Sequence, residues 1–188
     1  MAKSHLLAGS YGKCGLKRKL APLDWTLDMR AVDGAVASHI ESQLATSPVV
    51  TPCTFVLSVG GNDALGYLPM VQDTTADKSA ASVLMSFNEI REGFRQSYTS
   101  ALDRILAHDQ PLIVCTIYNP NFPEVNVQVL AETGLSFFND VIAEEALRRN
   151  LSIIDLREVC SMPEAFANPI EPSEFGGDVI TDAIISLL

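Results

Sequence analysis

The sequence predicts an α/β chain built on a five-stranded, mostly parallel sheet covered by helices on both faces. Three observations carry this. Short apolar runs alternate with longer stretches of helical periodicity, the βαβα order from which parallel sheets are made. The runs are rich in Val, Ile, Leu, Thr and Phe and are flanked by turn residues, as strands are. Finally, 188 residues with 47% hydrophobic and 19% charged content supply one core. No repeat, low-complexity tract or linker divides them, so residues 1–188 are expected to form a single domain.

In chain order, a first strand is expected over 3–8 and a second over 27–32, the latter followed by Asp33-Gly34. A helix follows over 35–45, where Val36, Ile40 and Leu44 recur every fourth residue. The third strand, 54–59, runs into Gly60-Gly61. A long helix over 77–107 carries Val83, Phe87, Ile90, Phe94, Tyr98, Leu102 and Ile105 at spacings of three or four. A fourth strand covers 112–118. The next helix, 127–149, has Leu130, Leu135, Phe138, Val141, Ile142 and Leu147 as its apolar positions. A fifth strand over 151–156 and a closing helix over 177–187 complete the pattern.

Composition excludes several classes of function. Thirteen Lys+Arg against 23 Asp+Glu give a net charge of −10, which repels phosphate backbones, so no nucleic acid partner is expected. No apolar stretch approaches the ~20 residues of a membrane helix, so no membrane span is expected. At the N-terminus only Leu6, Leu7 and Ala8 precede Gly9, short of the ~7–15-residue apolar core of a secretory signal, which predicts a cytoplasmic protein. The cysteines Cys14, Cys53, Cys115 and Cys160 show neither CxxC nor Cys/His spacing, and so indicate no zinc site or redox motif. Gly9, Gly12 and Lys13 suggest a phosphate loop, but Leu7 stands where its first glycine belongs and Cys14 replaces its hydroxyl residue.

In an open α/β sheet, ligands bind outside the carboxyl ends of the strands. The residues there are Gly9-Ser10, Asp33-Gly34, Gly60-Gly61-Asn62-Asp63, Asn119-Pro120-Asn121 and the segment from Asn168 to Ser173. Two glycines let the chain turn sharply off the third strand, and the Asn62 carboxamide then offers a neutral N–H donor at the rim. The Gly34 backbone N–H is a second donor suited to an oxyanion. Two such donors and a serine make an acyl-transfer site. The plainer alternative is a strand-to-helix turn in which Asn62 or Asp63 caps the next helix.

On these residues the chain resembles the SGNH (GDSL-type) hydrolases, flavodoxin-like serine esterases with four sequence blocks. Leu57-Ser-Val-Gly-Gly-Asn-Asp-Ala-Leu65 is similar to the family's Gly-x-Asn-Asp block, and Ala31-Val-Asp-Gly-Ala35 to its second block. The resemblance runs from about Leu16 to the C-terminus, through Tyr118-Asn-Pro-Asn-Phe122 and Pro172-Ser-Glu-Phe-Gly-Gly177. It implies a three-layer flavodoxin-like fold with a five-stranded parallel sheet. It also implies cleavage of a small-molecule carboxylic ester through an acyl-enzyme, with no metal or cofactor. In that scheme Ser10 attacks, while the Gly34 N–H, the Asn62 side chain and the Ser10 N–H hold the oxyanion.

Two blocks depart from the family pattern. Leu7-Ala-Gly-Ser10 stands where the family has Gly-Asp-Ser. Asn168-Pro-Ile-Glu171 stands where it has Asp-x-x-His, so Glu171 takes the histidine position and Asn168 that of the aspartate. A carboxylate can accept the serine proton, although its reference pKa lies about two units below that of histidine. The expected base is Glu171 or a displaced histidine; of His5, His39 and His108, His39 lies nearest the active edge. Asp155, by contrast, is expected to pair with Arg157. The alternative implied by the departures is an inactive SGNH-fold protein that binds a ligand or partner.

Overall fold

A computed structural model describes residues 2–7, 13–69 and 79–188 of the chain. At its centre lies β3 (Cys53–Leu57), every residue of which is buried. It is flanked by β1 (Ala2–Leu7) and β4 (Leu112–Cys115), with β2 (Trp25–Met29) and β5 (Ser152–Ile154) outermost. The strand order is β2-β1-β3-β4-β5, and all four neighbouring pairs run parallel. The order reverses between β1 and β3, the kind of switch point at which such sheets open a ligand crevice.

The helices, in chain order, are α1 (Lys13–Leu20), α2 (Ile40–Leu44), α3 (Gly61–Leu65), α4 (Ala80–Leu106), α5 (Val125–Arg148), α6 (Leu156–Val159) and α7 (Glu174–Ile185). A small antiparallel pair, β6 (Phe166–Asn168) and β7 (Glu171–Pro172), precedes α7. Because side chains alternate across a strand, the sheet feeds two cores. Phe55, Leu57, Leu112 and Val114 pack with Ile40, Leu102, Ile105, Val141 and Ile142 on the face of α2, α4 and α5. Val56, Ile113, Cys115 and Ile154 pack with Leu16, Leu20, Ile180 and Ile184 on the face of α1 and α7. The result is three layers, helices on either side of the sheet.

Several elements end where a side chain captures the backbone. The strand expected over 112–118 stops at Cys115, because the buried Asn139 of α5 takes both polar groups of Ile117. Its Oδ1 accepts from the Ile117 N–H at 2.7 Å and its Nδ2 donates to the Ile117 carbonyl at 2.9 Å. The strand expected over 151–156 stops at Ile154, since the Asp155 side chain accepts from the Arg157 N–H and caps α6. The strand expected over 27–32 is displaced to Trp25–Met29, and the next residue, Arg30, is buried with its guanidinium donating to the carbonyls of Leu44 and Pro48.

The helix expected over 35–45 is a 3-10 turn, Ala37–His39, leading into α2. The closing helix starts at Glu174, ahead of the expected residue 177, because Ser173 caps it by accepting from the Gly176 N–H at 3.1 Å. Gly176 has no alternative there: a β-carbon would overlap the Ala165 carbonyl oxygen. Helices α1, α3 and α6 and the β6–β7 pair have no counterpart among the expected elements. Among the described residues no helix is long and apolar enough to cross a membrane.

Candidate active site

Residues following β2, β3 and β4 and those of the β6–β7 turn line one cavity of about 420 Å³ at the carboxyl edge of the sheet. Gly34, Asn62 and Glu171 all contribute to its wall. Three of the four residues singled out for chemistry are therefore brought together from positions far apart in the chain. The fourth, Ser10, lies outside the described residues.

The wall formed by the second and third blocks is fixed by backbone geometry. Gly34 has φ +74° and Gly60 φ +121°, conformations that L side chains rarely adopt. At Gly60 a β-carbon would also press on Ile117 and Phe94, at 3.0 and 3.1 Å. The turn lets α3 begin at Gly61 with no side-chain cap, so neither Asn62 nor Asp63 performs the capping role of the plainer alternative. Asp63 instead reaches across to the turn just after the second block, both its carboxylate oxygens accepting from the Ala37 N–H at 3.1 and 3.2 Å. Burial pushes its carboxyl above the ordinary range, and the Ala37 hydrogen bond works against that rise.

Asn62 is tied to the same block, its Nδ2 donating to the Ala35 carbonyl at 3.1 Å. A carboxamide has two N–H hydrogens, and among the described residues this bond takes one of them and orients the group. The Gly34 N–H donates to the Asp33 carboxylate at 3.0 Å. An incoming oxyanion would take the place of that exposed carboxylate.

The opposite wall is the β6–β7 turn. Asn168 Oδ1 accepts from the N–H groups of Ile170 and Glu171, each at 3.0 Å, and its Nδ2 donates to the Glu171 carboxylate at 2.6 Å. The turn is pinned to the loop after β4 at two points. The Tyr118 hydroxyl donates to the Ile170 carbonyl at 2.8 Å, and the Asn121 N–H to the Pro169 carbonyl at 2.8 Å. The Tyr118 ring also meets Phe166 edge to face at 5.7 Å, and its burial raises the phenol pKa.

Neither described histidine side chain takes the base position. His39 is exposed, does not line the cavity and accepts from the Val36 N–H through Nδ1 at 3.4 Å. His108 packs against the Phe55 ring at 5.6 Å, before β4 and at the other end of the sheet. The backbone of His5 lies in register with Asp28 of β2 and Phe55 of β3. Asp155 pairs with Arg157 as expected, at 2.6 Å, and that hydrogen bond holds its carboxyl down to about 2.

The sequence pattern missed the parts of Asn139 and Tyr118. Asn139 lies between apolar positions of α5, and a polar residue inside such a stripe was the available signal. Tyr118 stood within the quoted Tyr118-Asn-Pro-Asn-Phe122 stretch, whose partner in the β6–β7 turn only the tertiary structure shows.

No family model and no curated protein matches the sequence. Solved structures match over almost the whole chain. An acetyl xylan esterase aligns with a TM-score of 0.73 at 14% identity, covering 99% of both chains. Phospholipase A1 from Streptomyces albidoflavus NA297 aligns at 0.68 and 18% identity, covering 98% of each. A member of the lipolytic G-D-S-L family from Veillonella parvula DSM 2008 aligns at 0.67 and 12% identity, over 100% of this chain and 98% of that one. With its strand order and its cavity at the carboxyl edge, the chain has the fold of the SGNH/GDSL-type hydrolases.

Proposed function

We propose that this protein hydrolyses a small-molecule carboxylic ester through a serine acyl-enzyme. The observation that carries the reading is the meeting of Gly34, Asn62 and Glu171 on one cavity, in a fold shared with esterases and lipases. Ser10 Oγ attacks the ester carbon while its proton passes to the Glu171 carboxylate. The carbonyl electron pair collects on oxygen, where the Gly34 N–H, the second Asn62 N–H and the Ser10 N–H stabilise it. Collapse expels the alcohol, which takes the proton from Glu171, and water then releases the acid by the same steps. Glu171 is the base of this scheme, since the side chains of His39 and His108 lie away from the cavity.

A fluorophosphonate serine probe followed by intact mass and peptide mapping tests this, alongside turnover of p-nitrophenyl esters. An adduct on Ser10 with turnover above that of Asn62→Ala is expected. An adduct on another residue would remove Ser10 from the scheme.

One observation favours a second reading, a crevice that binds a ligand without turning it over. Asn168 donates an amide N–H to Glu171. An amide, unlike a carboxylate, brings no negative charge to stabilise a base that has gained a proton. Absence of both adduct and turnover would select this reading.

A further inference from the structure

The cavity extends well beyond the groups the chemistry uses. From Gly34 and Asn62 it continues as an arm between α3, α4 and α5, lined by Phe87, Ile90, Leu130, Gly134, Leu135 and Phe138. Aromatic contacts set its walls: Phe138 packs on Phe94 at 4.9 Å, and Phe87 stacks on Phe137 at 5.0 Å. The helices on its two sides are tied by Arg95 of α4, which pairs with Glu144 at 2.7 Å and with the buried Glu145 at 2.8 Å on α5. Glu145 is held from its own helix as well, by Arg148 at 2.7 Å and Arg149 at 2.6 Å.

Gly134 is the informative residue of this arm. Glycine within a helix is destabilising relative to alanine, so its presence calls for a local cause. Neither backbone conformation nor crowding supplies one: Gly134 is not at positive φ, and a β-carbon there would meet no atom within 4 Å. What the missing side chain provides is space in the cavity, on the α5 face shared with Leu130 and Phe138 at i−4 and i+4. Among the described lining residues from α3 to α5, only Tyr67 and Tyr118 have a polar side-chain atom besides Asn62, and the Tyr118 hydroxyl already donates to the Ile170 carbonyl. A sugar placed there would leave its hydroxyls unpaired, whereas a hydrocarbon chain loses nothing.

We propose that this arm is the subsite for an unbranched acyl chain several methylenes long, entering from a carbonyl held at Gly34 and Asn62. The assignment rests on the ester-hydrolase reading for its orientation, and it names the acid half of the substrate.

The test compares kcat/KM for p-nitrophenyl acetate, butyrate and octanoate in the wild type, Gly134→Leu and Ala131→Leu. Titration calorimetry with octanoate alone gives a readout that needs no turnover. Each buried methylene is worth about a fourfold rise in kcat/KM, so a steep preference for octanoate over acetate is expected. Leucine at residue 134 fills the arm and should bring the octanoate-to-acetate ratio towards one while weakening octanoate binding. Ala131→Leu repeats the test from the neighbouring turn, with circular dichroism showing which variants fold. Turnover with no chain-length preference, or a preference kept in the folded variants, would overturn the subsite and leave the hydrolase standing. Octanoate binding that Gly134→Leu abolishes, without ester turnover, would support the subsite and overturn the hydrolase reading. Neither binding nor turnover would overturn both.

Discussion

On the side of Gly34 and Asn62, the cavity wall hangs from the ends of the sheet, and its polar groups are bound to neighbouring blocks: Asp63 to Ala37, Asn62 to Ala35. On the side of Glu171, the wall is an exposed turn between strands of three and two residues, held by its own Asn168 and by two hydrogen bonds from the loop after β4. The first wall is pre-organised by the fold. The second is positioned by a few separable contacts. In an ester hydrolase this would make the Asn62 donor the robust part of the chemistry, because a fixed dipole needs no rearrangement as charge develops. The Gly34 N–H must first exchange the exposed Asp33 carboxylate, and proton transfer depends on the turn.

Substitutions on the two walls can break that contrast. The largest effect is expected from Asn62→Ala, which removes a donor from the pre-organised wall: kcat on p-nitrophenyl esters should fall about 10²–10³-fold. A variant with wild-type kcat would detach the oxyanion role from this wall. Asn139→Ala is expected to act on stability, since it strands the N–H and carbonyl of Ile117, one residue before Tyr118. Two buried groups left unpaired should cost about 3 kcal/mol in urea unfolding. A loss below about 1 kcal/mol would mean that water or a shifted backbone replaces both bonds.

On the other wall, Tyr118→Phe deletes the hydroxyl that holds the Ile170 carbonyl while keeping the ring against Phe166. Loss of one hydrogen bond should lower urea stability by about 1 kcal/mol and, by loosening the turn that carries Glu171, lower kcat about fivefold with KM near wild type. A fall in stability with kcat unchanged would make Tyr118 a general support of the fold and detach it from the chemistry of the turn.

The smallest effect is set by Asp155, away from both walls. The Arg157 hydrogen bond lowers its carboxyl to about 2, so the folded state favours the charged form. Its contribution is therefore complete above about pH 4 and disappears as pH falls through 2. The pair is about a third exposed, and solvent screening reduces its value to about 1 kcal/mol. The stability gap between wild type and Asp155→Asn should be largest at neutral pH and close between pH 4 and 2, measured by urea unfolding. A gap independent of pH would assign the effect to the helix cap alone.

The layering and the wall formed by residues 60–63 are legible from residue order alone. The apolar runs and helical periods report burial residue by residue, and Gly60-Gly61-Asn62-Asp63 compresses a turn, a donor and an anchor into four consecutive positions. Local conformation is decided by local residues, so such a block is legible without its surroundings. Tertiary structure alone decided where β4 ends, since Asn139 acts from 22 residues away. It also decided that the Asn168–Glu171 turn faces Gly34 across the cavity and that His39 does not. These are contacts between segments distant in sequence, and their partners follow from how α5 and the β6–β7 pair pack against the sheet. Neither periodicity nor composition records that packing. The room beside Gly134 belongs with them, because one glycine in a helical pattern has no visible cause until the space it leaves is seen.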